Sequence, residues 1–266
     1  MTRRIGIDAG ATLTKIAYED RGHMHVKSYA NQEMDQLIQW LQITNQSAFL
    51  SLTGGKSTYL QDASQQKSEQ IEEFKAITAG TRHLLYEETG KIPDDFILVS
   101  IGTGTSIFRV IGDDYERLLG SGIGGGTFMG LGTLLTGKKD YHELIELAAE
   151  GNYKNSDLLV KDIYDTSAAP LSGNLTAANF GKAHINDVAL ADQLASLVRL
   201  IGETILLLST QAAASQQVEK IVFTGSTLTG NEALKEVLSG FRDILPYEPV
   251  FLEKGAYAGA IGALYS

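Results

Sequence analysis

Ile5-Gly6-Ile7-Asp8-Ala9-Gly10-Ala11-Thr12-Leu13-Thr14-Lys15 is the stretch from which the fold is read. Two apolar segments, Arg4–Ile7 and Leu13–Tyr18, flank a turn that holds an acid, a glycine, threonines and a lysine. That set of groups suits a nucleoside triphosphate. Gly10 lets backbone N–H groups approach phosphate oxygens that a side chain would obstruct. Asp8, at the end of the first strand, is placed to hold Mg²⁺ through water, and Lys15 or the hydroxyls of Thr12 and Thr14 can meet phosphates. Taken alone, the same letters also describe an ordinary hairpin with a solvated Asp.

The pattern recurs further along. Phe96–Ile101 reads as an apolar strand, Gly102-Thr103-Gly104-Thr105-Ser106 as a turn, and Ile107–Ile111 and Tyr115–Leu119 as two further strands. Setting Asp8–Leu13 over Gly102–Ile107 aligns Gly10 with Gly104 and Thr12 with Ser106, at an offset of 94 residues. Each copy opens a βββαβα-like unit, so the chain reads as a tandem duplication with two phosphate turns facing across a cleft. Lys91-Ile92-Pro93-Asp94-Asp95 is the expected boundary, which gives domains 1–92 and 93–266.

Within the first unit, strands are expected over Arg4–Ile7, Thr14–Tyr18, His25–Tyr29 and Ala48–Leu52, with helices around Met34–Leu41 and from Glu73 to about Glu88. In the second, a glycine-dense loop from Gly120 to Gly132 precedes a polar region to about Lys182. A long helix from about Asp187 to Ala214 follows, then a strand at Ile221–Phe223, the turn Thr224-Gly225-Ser226-Thr227 and a small-residue helix, Gly255–Tyr265.

The 266 residues include no cysteine, which excludes disulfides, thiolate metal sites and a Cys nucleophile and is compatible with a reducing compartment. The net charge of −10, with basic pairs only at Arg3-Arg4 and Lys138-Lys139, argues against a nucleic-acid surface. The apolar stretch Val188–Ala214 carries Asp192, Arg199 and Glu203, so it reads as a buried helix and not a membrane span. A cytoplasmic protein is expected.

Gly120-Ser121-Gly122-Ile123-Gly124-Gly125 formally satisfies a dinucleotide fingerprint, but the strand before it belongs to an antiparallel meander and not to a parallel βαβ unit. A backbone cradle near phosphate at a helix N-terminus is the better reading, with a surface loop as its alternative. Transfer of a phosphoryl group needs a carboxylate base and a cation. Ile71-Glu72-Glu73-Phe74 offers two adjacent acids that chemistry alone does not separate, and Arg117 lies just ahead of the glycine loop.

Three glycine turns in this order resemble the phosphate-1, phosphate-2 and adenosine motifs of the actin, Hsp70 and sugar-kinase superfamily. The fold class implied is α/β, a duplicated actin-like ATPase (ribonuclease H-like) fold with ATP in the cleft. Asp8–Lys15, Glu73-Phe74, Ile101–Ser106, Arg117 with Gly124–Leu131, Leu175–Gly181 and the ending Gly255–Leu264 together resemble the type II pantothenate kinases over essentially the whole chain.

The resemblance implies ATP-dependent phosphorylation of pantothenate to 4′-phosphopantothenate, with Mg²⁺, in a cytoplasmic homodimer without nucleic-acid or membrane partners. It implies Glu73 as general base and Arg117 as the cation on the transferring group. It assigns Asp8, Ala9, Gly10, Ala11, Thr12, Leu13, Thr14 and Lys15 to the first ATP loop and Thr103 to the second. Gly125, Gly126, Thr127, Phe128 and Met129 form the glycine-rich ATP segment, with Tyr141 and Ser226 near the nucleoside. Ala11 departs from the family pattern, which has a second glycine there. Its methyl fits if φ is negative. The alternatives are another small-molecule kinase of the superfamily, such as a sugar or N-acetylhexosamine kinase, and an ATP-dependent switch of the actin or Hsp70 sort.

Overall fold

A computed structural model of the chain describes residues 3–164, 172–185 and 187–266. The first unit runs β1 (Arg4–Ala9), β2 (Leu13–Asp20), β3 (His23–Ala30), α1 (Met34–Thr44), β4 (Phe49–Thr53), α2 (Ser57–Ser64), β5 (Ser68–Gln70) and α3 (Glu73–Thr89). Its sheet has the order β3-β2-β1-β4-β5, antiparallel through the meander and parallel from β1 to β5. The second unit begins with β6 (Asp95–Ile101), β7 (Thr105–Ile111), β8 (Asp114–Ser121), α4 (Gly125–Thr136) and α5 (Tyr141–Glu150). It goes on through β9 (Leu158–Leu159), α6 (Val160–Ile163), β10 (Thr176–Ala178), α7 (Leu190–Gln216), β11 (Lys220–Thr224), α8 (Glu232–Ser239), β12 (Glu248–Phe251) and α9 (Ala258–Tyr265). Its sheet order, β12-β11-β6-β7-β8, repeats that of the first unit element for element.

The duplication is therefore present, but at a different register from the expected 94. Asp8 pairs Thr53 on β4 and Lys15 on β2, while Ser100 pairs Thr224 on β11 and Ser106 on β7. Asp8 thus corresponds to Ser100 and Lys15 to Ser106, offsets of 92 and 91 residues. The second hairpin is one residue shorter, and matching glycine to glycine concealed this. The glycines after the two parallel strands are true counterparts: Gly54 has φ +87° and Gly225 φ +107°, and each backs onto the backbone of the hairpin residue, Ala9 or Ile101.

Other expected boundaries need correction. The glycine-dense loop is helical from Gly125 onward, because the fold uses the missing side chains: a Cβ on Gly132 would stand 3.1 Å from Leu144 of α5, and one on Gly126 would stand 2.8 Å from Thr103. The long helix spans Leu190–Gln216 instead of 187–214. Residues 187–214 include apolar Leu194, Leu197, Val198, Ile201 and Ile205, all buried in the core of the second unit. By length and composition α7 could cross a membrane, but more than half of its apolar stretch is buried against the second unit, as the buried-helix reading expects.

The packing has three parts. Ile5, Ile7 and Ile16 meet Leu37 and Leu41 of α1 on the outer face of the first sheet. A larger cluster joins α4, α5, α7 and α8 to the second sheet. The third links the units: Ala17, Leu84 and Leu85 of the first pack with Phe96, Leu98, Phe108, Val222, Ala260 and Ile261 of the second. α3 and α9 cross within this layer, and α9 also covers β1.

Candidate active site

Strand ends build the cleft. β1 and β6 each finish at a hairpin tip, and at both tips N–H groups are left without partners: those of Ala11 and Thr12 in the first, and of Thr103 and Gly104 in the second, donate to no acceptor among the described residues. The two tips touch, with the hydroxyls of Thr12 and Thr103 at 3.3 Å. Unpaired donors at facing turns form an anion-binding concavity. Ala11 is not at positive φ, so its methyl is tolerated. Gly10 is needed for proximity, since a Cβ there would stand 2.9 Å from the Leu13 carbonyl.

On one side of these tips lies a cavity of about 470 Å³ lined by Asp8, Gly10–Leu13, Lys15, Glu73, Phe74, Ser100, Gly102–Ser106, Arg117, Gly255, Ala256, Ala258 and Gly259, among others. On the other lies one of about 590 Å³ lined by Gly125, Gly126, Met129, Lys139–His142, Thr227 and Tyr257, with Ser28, Ala30 and Glu33 from the first unit. Thr12, Leu13, Lys15, Gly102, Thr103 and Ser226 border both. Thr127 lines neither cavity; its hydroxyl donates to the Gly122 carbonyl at 2.8 Å, within its own turn.

Most of the expected site residues are thus brought together, but four are not: Ala9, Thr14, Thr127 and Phe128. Ala9 and Thr14 are wholly buried, and Phe128 is buried edge-on against Tyr141 at 5.7 Å. Strand alternation is the reason for the first two: with Asp8 and Lys15 turned to the cleft, their neighbours turn away. The glycine-rich segment also differs from a free phosphate cradle. The N–H groups of Gly125 and Gly126 donate to the carbonyls of Gly102 and Thr103 at 2.9 and 2.8 Å, and the Thr227 hydroxyl donates to Gly102 at 2.9 Å. The start of α4 therefore supports the second hairpin. The segment Leu175–Gly181 lies away from the cleft, where Thr176 and Asn179 bond to Glu203 of α7.

The structure separates the two adjacent acids. Glu72 is the N-cap of α3: its carboxylate accepts the N–H groups of Phe74 and Lys75 and the hydroxyl of Tyr115. Burial works against its charge, yet the bonds from Tyr115, Lys75 and Phe74 outweigh this and hold it below the ordinary glutamate range. Glu73 points into the cleft. It lines the cavity while keeping an exposed side chain, and partial burial pushes its carboxyl up, helped by the charges of Asp8 and Glu72 and opposed by Lys15. Asp8 itself faces Lys15 Nζ at 3.5 Å and the first turn of α9, where Gly259 leaves room for its carboxylate. A helix N-terminus favours a negative charge there.

Arg117 reaches the cleft through an irregularity. Ile107 pairs Leu119 whereas Phe108 pairs Arg117, so Leu118 is an extra residue and β8 bulges beside Arg117. Bulges re-aim side chains. Gly120 makes space for the guanidinium, which lies over the Phe74 ring, and no carboxylate pairs with it among the described residues. On the far side of the cleft, the Tyr141 hydroxyl donates to the Thr227 carbonyl at 2.5 Å and accepts from Asn231; burial pushes it up to about 12.

Thr224 and the segment from Gly255 belong to expected motifs without a site role, and Ser100 was not expected; with Ala256, Ala258 and Gly259 they form one wall of the cavity. The signal for Ser100 was available in the correctly registered repeat, which sets it where the first unit has Asp8.

The architecture is that of the actin-like ATPases and sugar kinases. Component A of the (R)-2-hydroxyglutaryl-CoA dehydratase of Acidaminococcus fermentans superimposes with a TM-score of 0.65 at 15% identity, covering 99% of this chain and 96% of that one. A ROK family protein from Streptococcus pneumoniae TIGR4 does so with a TM-score of 0.56 at 14% identity, covering 98% and 96%. At such identities the fold is what is shared. The Fumble family model matches residues 73–266. A type II pantothenate kinase of Oceanobacillus iheyensis is 46% identical over 265 residues, 99% of each chain, and one of Bacillus cereus is 41% identical over 269 residues, 99% of this chain and 98% of that one. The chain belongs to the type II pantothenate kinase family.

Proposed function

We propose that this kinase transfers the γ-phosphoryl group of ATP to the terminal hydroxyl of pantothenate, giving 4′-phosphopantothenate at the head of coenzyme A biosynthesis, with Glu73 as base and Arg117 as the balancing cation. The chain divides at 92/93 in this reading, one phosphate hairpin to each half. What supports the residue roles above all is Glu73, a carboxylate with a raised affinity for protons, facing the cavity that Asp8, Lys15 and Arg117 also line.

The steps follow from charge and geometry. The pantothenate hydroxyl lies against Glu73, whose carboxylate accepts the proton as the oxygen attacks phosphorus in line with the departing ADP oxygen. A raised carboxyl is a better proton acceptor than an ordinary one, which suits this step near neutral pH. Charge on the transferring oxygens is met by the Arg117 guanidinium, Lys15 and the N–H groups of Ala11, Thr12, Thr103 and Gly104. The nucleoside occupies the cavity beside Gly125–Met129, Tyr141 and Ser226.

The cleft suits Mg²⁺ in the manner usual for nucleotide sites. Among the described residues no cluster of three His, Cys, Asp or Glu side chains could hold a metal by itself, but Asp8 presents one carboxylate to the cavity, and Mg²⁺ takes few protein ligands beside phosphate and water. Asp8 would hold the ion through water, and the ion would neutralise charge on the phosphates. A homodimer in the cytoplasm, without nucleic-acid or membrane partners, completes the proposal.

The test is an ATP-consumption assay against pantothenate, pantetheine and a panel of hexosamines. Turnover with pantothenate is expected, and turnover confined to a hexosamine would overturn the substrate. Glu73→Gln is expected to lose turnover by several orders of magnitude while still binding ATP. Near-normal turnover would remove Glu73 from the role of base.

A further inference from the structure

The residues on both sides of Glu73 are fastened to the strands that carry Arg117. Ahead of it, Glu72 accepts the N–H groups of Phe74 and Lys75 at 3.0 and 2.7 Å, which caps α3. Its Oε2 also accepts the Tyr115 hydroxyl at 2.6 Å. Behind it, Phe74 packs edge-on against Phe108 of β7 at 5.2 Å and lies beneath the Arg117 guanidinium at 5.6 Å. Phe108 meets the Tyr115 ring at 6.4 Å, closing the cluster. Tyr115 and Arg117 stand two residues apart on β8 and so share a face, the one turned to α3.

Capping does not require Tyr115. The two backbone N–H groups satisfy a helix start by themselves, and a hydrogen bond at a solvent-accessible site adds little to global stability. The added bond instead ties the first turn of α3, which belongs to the first unit, to a strand of the second.

We propose that the Tyr115–Glu72 hydrogen bond is a positioning device that fixes Glu73 relative to Arg117, so that base and cation stay in register whatever the rest of the cleft does. Neither Tyr115 nor Glu72 lines the reacting groups, and each acts through its neighbour. The inference rests on the roles given above to Glu73 and Arg117. A carboxylate with a hydroxyl donor forms a short, charge-assisted bond, which suits a tie that must hold direction. The pair shows the mutual effect of such a bond: the Tyr115 hydroxyl, held by Glu72, is pushed up to about 12.

The experiment is single-turnover and steady-state kinetics on Tyr115→Phe, which keeps the ring and deletes the bond, with Glu72→Gln as a second variant. Expected for both is a transfer rate about 10-fold lower with KM for ATP within about 2-fold; the melting temperature of Tyr115→Phe is expected within about 2 °C, while Glu72→Gln also gives up a capping acceptor and melts a few degrees lower. In a Glu73→Gln background, Tyr115→Phe is expected to leave the residual rate unchanged, because there is no base left to position. An unchanged transfer rate in both variants overturns the proposal. So does an equal fall in the Glu73→Gln background, or a fall in Tyr115→Phe that tracks the melting temperature, since either marks a merely structural tie. Near-normal turnover of Glu73→Gln alone strikes the base assignment instead, and is read separately.

Discussion

Gly80 of α3 and Gly262 of α9 lie backbone against backbone: a β-carbon on either would stand 2.7 Å from the amide nitrogen of the other. Each would also strike a carbonyl of the facing helix, Ala258 for Gly80 and Ala76 for Gly262. α3 begins with Glu73, so this crossing sets the axis on which the base is mounted.

Gly80→Ala and Gly262→Ala are each expected to destabilise the fold by about 1–3 kcal/mol, because overpacking a close crossing forces the helices apart. Gly130 lies inside α4 with open space around it, and Gly130→Ala should be neutral or stabilising by up to about 1 kcal/mol. Urea midpoints decide this, and similar midpoints for Gly262→Ala and Gly130→Ala would show that the crossing tolerates a methyl.

Glu73 makes stability and activity depend on pH in opposite directions. Its carboxyl is raised in the folded state, first by burial and then by Asp8 and Glu72, so folding costs more once it is ionised. The loss of stability begins as pH rises through the unfolded glutamate value and is complete above the raised folded one. Glu73→Gln should therefore raise the melting temperature at neutral pH and not below about pH 4. A melting temperature lowered at pH 7.5 would contradict it.

Proton acceptance needs the ionised form, so turnover should fall on acidification at a pH above the ordinary glutamate range. Lys15 opposes the shift, so Lys15→Met should move the acid limb of kcat/KM to higher pH, whatever it does to the height of the profile. A limb that moves to lower pH would refute the assignment.

Gly54 and Gly225 are the two positive-φ glycines that stand beside the phosphate hairpins. Both have strongly positive φ, and both back onto a hairpin residue, so Gly54→Ala and Gly225→Ala should each cost about 1–3 kcal/mol and raise KM for ATP. Wild-type kinetics in either variant would detach these turns from the nucleotide loops.

Ala11 should be neutral. With φ outside the positive range and its side chain exposed, Ala11→Gly is expected to change KM for ATP by less than about 2-fold. A several-fold fall in KM would mean that the methyl crowds the phosphate.

The hairpins, the duplication and the family were legible because they rest on local patterns: apolar strands broken by glycine turns, twice. What escaped had no such pattern. β5 is three polar residues, β12 contains Pro249 and sits at a sheet edge, and α2 and α8 are eight residues each. α4 looked like a loop because its glycines answer to Thr103 and Leu144, which sequence spacing does not reveal. Glu72 and Glu73 were inseparable for a similar reason, since Tyr115, which engages Glu72, lies 43 residues away. The inward turn of Ala9 and Thr14, by contrast, was open to inference from strand alternation.

The contact of Gly6 with Ala260 and Leu264 has a consequence for the order of assembly. A ribosome completes β1 about 250 residues before α9, an interval on the order of tens of seconds. The cluster of Ile5, Ile7, Leu37, Leu41, Leu50 and Leu52 is built entirely from early residues and can close at once. Ala17, Leu84 and Leu85 await partners that begin with Phe96 and are complete only when Ala260, Ile261 and Leu264 have been added. A nascent chain stalled in between would carry one finished core and one bare apolar face, the surface that chaperones hold and that aggregation exploits.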